Sequence, residues 1–188
     1  MKREDAEHTI ERVASTSIDP DRLARGLDAI FFEASNTKSF ESANERAAFR
    51  QRWLGRYLDD FPEWAYIARD AAGEVAGYLV GCVSDPAHDA RFADIGYFAM
   101  LAAETARYPA HLHVNVRADC RGSGLGARLI AAFLADARRA GVAGVHVVTS
   151  EGARNVGFYL ANGFSQVHAF RVGEKRLLML GADLVERA

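Results

Sequence analysis

Cysteine and proline are scarce in this chain of 188 residues, at two and four respectively. The cysteines, Cys82 and Cys120, lack metal-ligand spacing and imply no disulfide framework, so no metal site is expected. Cys82 sits in an apolar run and reads as core, whereas Cys120 borders a polar loop where a thiol could react. An excess of one charge is also missing. The formal net charge is −2 and no Lys/Arg block dominates any segment, which argues against a general nucleic-acid binder. No apolar run reaches membrane-spanning length, and none follows the mixed-charge start Met1-Lys2-Arg3-Glu4-Asp5. No membrane association and a cytoplasmic location are therefore expected. Internal repeats and low-complexity tracts are absent, which excludes solenoid architectures.

What is present is the composition of an ordinary globular protein, 49% hydrophobic and 26% charged. The length is most simply that of one domain over residues 1–188. The chain is organised around the stretch from Val114 to Gly126. A β-branched run, His111 to Val116, ends in a polar turn, then a glycine-rich loop, then a helix marked by Ile130, Phe133, Leu134 and Ala137. Gly141 stands at its C-cap position. A glycine loop feeding a helix N-terminus directs several backbone N–H groups one way beside the positive end of the helix dipole. That arrangement suits a phosphate or pyrophosphate.

The remaining elements follow in order. His8 to Ser17 alternates loosely and reads as a first strand. Asp19-Pro20 starts a helix that runs to about Ala34, and a second helix covers Glu41 to Asp60 before Pro62. Its stripe contains Phe49, Trp53, Tyr57 and Leu58. Trp64 to Ala68 and Val75 to Val83 form a hairpin around Asp70-Ala71-Ala72-Gly73. The connection from Ser84 to Pro109 is too long to lack structure, so some helix is expected between about Ala90 and Arg107. A lid or a dimer contact is the alternative use of that segment. Val142 to Ser150 is a strand, Ala153 to Asn162 a short helix, and Phe164 to Arg171 and Arg176 to Leu180 are closing strands. The fold class is therefore mixed α/β (α+β), with a mainly antiparallel start and one βαβ unit.

Gly122-Ser123-Gly124-Leu125-Gly126-Ala127 fits the dinucleotide pattern G-x-G-x-x-A, and Glu151 lies near the position of a ribose ligand. An NAD-dependent oxidoreductase is thus one alternative. Against it, the strand ends too far before the first glycine, the loop comes late in the chain, and the hairpin and closing strands suit an open mixed sheet. The same residues also read as Arg121-x-x-Gly124-x-Gly126. With Asn155-Val156-Gly157-Phe158-Tyr159-Leu160-Ala161-Asn162-Gly163-Phe164, they make the chain resemble the GNAT superfamily of acetyl-CoA-dependent N-acetyltransferases. The resemblance covers roughly residues 64–181. Ala118 and Cys120 depart from its commonest pattern, which has proline and a bulky aromatic there.

That resemblance implies direct attack of an amine on the acetyl-CoA thioester in a ternary complex, with coenzyme A as product. Arg121, Gly122, Ser123, Gly124, Leu125, Gly126 and Ala127 would hold the pyrophosphate. Val114 and Val116 would pair with the pantetheine arm through their backbone, a strand N–H would polarise the thioester carbonyl, and Asn155 would hydrogen-bond the cofactor. Tyr159 occupies the family's usual position for the acid that serves the departing thiolate. The alternative is a non-catalytic acyl-CoA-binding or sensing module on the same fold.

The attacking amine must lose a proton, because an alkyl ammonium has a pKa of about 10.4. Strand alternation puts His111, His113 and Asn115 on one face, and His113 is the leading side-chain base. A histidine that merely hydrogen-bonds across the sheet is the alternative, and Glu33, Glu104, His146 and Glu151 are weaker candidates. In such a family the acceptor, a small amine or a peptide, is set by the first two helices and the 84–109 connection. Their aromatics (Phe32, Phe40, Trp53, Trp64, Tyr97, Phe98) and acids (Glu33, Asp85, Asp89, Asp94) would suit a small cationic amine. A homodimer is compatible with such folds.

Overall fold

The computed structural model describes residues 8–185. Its strands are β1 (Thr9–Arg12), β2 (Ala65–Arg69), β3 (Val75–Cys82), β4 (Ala110–Val116), β5 (Gly144–Ser150), β6 (Ser165–Val172) and β7 (Lys175–Asp183). They form one sheet in the order β1-β2-β3-β4-β5-β7-β6. The β1/β2, β2/β3, β5/β7 and β6/β7 pairs are antiparallel, while β4 runs parallel to β5 through Ala110↔Val145 and His111↔His146. This is a mixed, mostly antiparallel α/β fold. The chain packs as two compact units, 8–81 with 113–133, and 82–112 with 134–185.

In the first unit, α1 (Pro20–Ala34) begins where Asp19 accepts from the Arg22 N–H at 3.0 Å, with Pro20 preset for the first turn. It buries Leu27, Ile30 and Phe31. The expected single helix from Glu41 to Asp60 is three pieces. Ser42 caps α2 (Ala43–Arg50), a π-helical turn follows over Gln51–Gly55, and α3 (Arg56–Asp60) completes the segment. The wider turn adds a residue to the winding and resets which side chains face inward. Leu54, Gly55 and Tyr57 are buried there, and a Cβ on Gly55 would overlap the Gln51 side chain. The first strand is also shorter than expected, because a 3₁₀ turn takes over at Val13–Ser15. The β2–β3 hairpin closes as anticipated. Its Asp70 carboxylate accepts from the N–H groups of Ala72 (3.0 Å) and Glu74 (2.9 Å).

In the second unit the 84–109 connection contains a 3₁₀ turn at Ala90–Phe92 and the short helices α4 (Tyr97–Met100) and α5 (Ala102–Arg107). Phe92, Ile95, Phe98 and Leu101 are buried, so this segment packs its apolar face inward. After α6 (Leu125–Arg139), which straddles the two units in sequence, come β5 and α7 (Asn155–Ala161). The closing strands are found, and β7 extends three residues past its expected end at Leu180, to Asp183. His146 on β5 is 1% exposed and donates from Nδ1 to the Tyr108 carbonyl at 2.6 Å. No helix among the described residues is long and apolar enough to cross a membrane.

Candidate active site

The glycine loop lies in the first unit, between β4 and α6. A 3₁₀ turn at Ala118–Cys120 leads to Arg121, then Gly122 and Gly124 adopt left-handed backbone (φ 78° and 80°), and α6 starts at Leu125. A Cβ on either glycine would meet no protein atom within 4 Å. Glycine is therefore required by the backbone conformation, and the space beside the loop is open to a ligand. Ser123 Oγ donates to the Cys120 carbonyl at 2.7 Å and tightens the turn. This geometry fits a pyrophosphate held by backbone amides at a helix start.

The arginines around the loop have other work. Arg117 donates its N–H to Ala76 O at 2.9 Å, and its guanidinium reaches Asp119 (2.7 Å) and Asp70 (2.9 Å). The hydrogen bond it donates to Asp119 outweighs its partial burial and raises its pKa, and the one it donates to Asp70 pins the β2–β3 turn to the end of β4. Arg128 donates to the His8 carbonyl at 2.8 Å. Arg121 donates from Nε to Val116 O and from Nη2 to Glu33 Oε1, each at 3.1 Å.

Upstream of the loop, Val114 and Val116 are half-buried. Asn115 donates to the Tyr78 phenol oxygen at 2.8 Å. Burial pushes that phenol above its ordinary range. His113 Nε2 lies 3.2 Å from the hydroxyl of Tyr57, which is 0% exposed. The Trp53 ring meets the His113 ring edge-on at 5.5 Å. Tyr57 escapes a sequence reading that treats Trp53 and Tyr57 as one core stripe. Their spacing is helical, and nothing in it reports the π turn or a partner 56 residues away.

In the second unit, Asn155 and Tyr159 share α7 at a spacing of one turn. Asn155 Oδ1 accepts from Thr149 Oγ1 at 2.8 Å. Tyr159 is 6% exposed and packs against Phe158 and Phe164, and burial pushes its phenol up to about 12. The weaker base candidates are engaged elsewhere. Glu33 binds Arg121, Glu151 pairs with Arg176, and Glu104 meets His168 at 2.8 Å. His146 is held neutral, since burial pushes it down to about 4. Among the described residues no cluster of His, Cys, Asp or Glu could hold a metal ion.

The acetyltransferase (GNAT) family model matches residues 28–164. Among solved structures, SsHAT shares 23% identity over 95% of this chain and 99% of that chain, with a TM-score of 0.71. Ribosomal-protein-alanine N-acetyltransferase from Brucella melitensis shares 21% identity over 93% and 99%, with a TM-score of 0.58. The protein yncA from Salmonella typhimurium, solved with its cofactor acetyl-CoA, shares 18% identity over 97% and 96%, with a TM-score of 0.61. These likenesses establish a common fold.

Proposed function

Given that this chain belongs to the GNAT acetyltransferase family, we propose that it is an N-acetyltransferase that moves an acetyl group from acetyl-CoA to an amine. The observation that carries this reading is the Gly122–Gly124 loop, left-handed at both glycines and opening α6 after the 3₁₀ turn that follows β4. Acetyl-CoA supplies the activated acyl group and a thiol leaving group. In this reading the amides of Arg121 to Ala127 receive its pyrophosphate, the backbone of Val114 and Val116 aligns the pantetheine arm, and Asn155 hydrogen-bonds the cofactor.

The amine nitrogen forms the new C–N bond as the C–S bond breaks. His113 takes the proton the amine sheds, and Tyr57 fixes the imidazole for that task. When Nε2 carries the hydrogen and donates to the Tyr57 oxygen, the basic lone pair is on Nδ1. Tyr159 is the hydroxyl donor that meets the departing sulfur. A phenol at about 12 is protonated throughout the neutral range, so the donor is always in place. A phenol at that value is a weaker acid than a thiol near 8.5. Its contribution is therefore to hydrogen-bond the sulfur as charge develops.

The test is thermal stability with acetyl-CoA, coenzyme A and NADH, followed by thiol release across an amine panel. Binding to the native state raises the midpoint by linkage. A rise with both CoA species, none with NADH, and amine-dependent thiol release are expected. Binding without release by any amine would instead indicate an acyl-CoA sensing module.

A further inference from the structure

We propose that the acceptor amine also carries a carboxylate, received by Arg46 and Lys38 in a cavity between α1 and α2. The inference rests on the acetyl-transfer reading above and names its substrate class. The cavity has a volume of about 550 Å³ and is lined by Phe32, Thr37, Lys38, Phe40, Glu41 and Arg46, among others. That volume suits a small molecule.

Arg46 stacks on the cavity's aromatic wall. Its Cζ lies 3.5 Å from the centroid of the Phe32 ring, over the aromatic face. Its guanidinium makes no ion pair or side-chain hydrogen bond among the described residues. Three other arginines of this unit are neutralised, Arg50 by Asp28 at 2.6 Å, Arg69 by Glu11 at 3.3 Å, and Arg22 by Glu74. Stacking on an aromatic face leaves the in-plane N–H fork of a guanidinium available, and that fork matches a carboxylate. Lys38 Nζ donates to the carbonyls of Glu33 (2.7 Å) and Phe32 (3.4 Å), which position its charge at the same wall without cancelling it. Glu41 is the one acid on the described lining, so cations outnumber it two to one. Phe32 and Phe40, edge-to-face at 6.0 Å, supply an apolar wall for the acceptor's body.

Glu33 connects this cavity to the glycine loop. Its carbonyl receives Lys38, and its carboxylate receives Arg121 Nη2 at 3.1 Å. The same side chain that belongs to the loop motif therefore touches the residue next to the cavity wall. Arg46 lies on α2, and the turn that continues it carries Trp53, whose ring meets that of His113 at 5.5 Å, so the carboxylate anchor and the proposed base are joined by one helical segment. The acceptor class that follows is an apolar amino carboxylate, where the sequence alone suggested a simple cationic amine.

The experiment titrates phenylalanine and phenylalaninamide calorimetrically into the full chain saturated with coenzyme A, and follows their acetylation by thiol release. Wild type, Arg46→Gln and Arg46→Lys are compared, with melting curves to show that each variant is folded. Wild type is expected to bind and acetylate phenylalanine at least about tenfold better than the amide, as befits a charged hydrogen-bond pair. Arg46→Gln should erase that preference through a higher KM, and Arg46→Lys should keep part of it. Equal or better use of the amide, an unchanged ratio in Arg46→Gln, or no binding of either probe overturns the proposal. Arg46-dependent carboxylate binding with no thiol release would overturn the acetyl-transfer reading and leave the carboxylate site standing.

Discussion

The Tyr57 hydroxyl and His113 Nε2 stand 3.2 Å apart, joining a fully buried phenol on α3 to a half-buried imidazole on β4. This hydrogen bond fixes one ring nitrogen and the rotation of the imidazole. Tyr57→Phe preserves the ring and removes the hydroxyl that makes this bond. We expect kcat/KM to fall about tenfold and the ¹⁵N shifts of His113 to move, while coenzyme A binds as before. His113→Gln should cost about a hundredfold, the lower end of general-base contributions. Unchanged turnover in both variants would remove His113 from the mechanism.

Tyr159→Phe, which removes one preorganised donor, is expected to lower kcat by about a hundredfold at every pH from 6 to 10. The sign follows from the raised phenol. The donor form exists below about 12 and is lost above it, so this residue contributes no descending limb in that range. A Tyr159-dependent alkaline limb centred near 9 would contradict the assignment.

Gly122→Ala and Gly124→Ala test the loop. Each places a Cβ where the protein leaves room, but at φ near 80°. The left-handed backbone alone should cost about 1–2 kcal/mol of stability in urea denaturation. If the loop receives the pyrophosphate as proposed, a loss of coenzyme A affinity beyond that is expected, because the added Cβ would hold the phosphate off the backbone. Full affinity in the folded variants would place the pyrophosphate elsewhere.

Acid should destabilise the protein through His146. The folded residue, with its ring beside those of Phe98 and His111, stays neutral down to about 4, whereas an unfolded histidine takes a proton near 6.5. Between these values the unfolded chain binds the extra proton, so stability falls as pH falls, by up to about 3 kcal/mol. Below about 4 both states are protonated and the loss is complete. Unfolding free energies at pH 7.5, 6 and 5 should show a shallower slope in His146→Gln, whose amide can still donate to the Tyr108 carbonyl. Parallel slopes would exclude His146 as the source.

Much of this protein is local in origin and was legible residue by residue. The β2–β3 hairpin follows from Asp70 to Gly73, whose turn geometry needs no distant partner. The loop and helix from Arg121 to Gly141 follow from glycine placement and helical periodicity. The helical content of the 84–109 connection follows from its length and its apolar residues. The pairing of Asn155 with Tyr159 follows from one turn of helix.

Other features were decided only when distant segments met. Periodicity could not separate one helix over 41–60 from α2, a π turn and α3, because the same aromatics satisfy either winding. The extra residue at Gln51–Gly55 turns Tyr57 toward His113, and neither residue type declares that pairing. Likewise Arg117 reads as a solvated cation until Asp70 folds against it. The stacking of Arg46 on Phe32 joins two helices and has no signal in the periodicity of either. Backbone conformation and helical spacing are short-range and are written along the chain. Which charge is neutralised and by what depends on three-dimensional neighbours, and that only the tertiary structure decides.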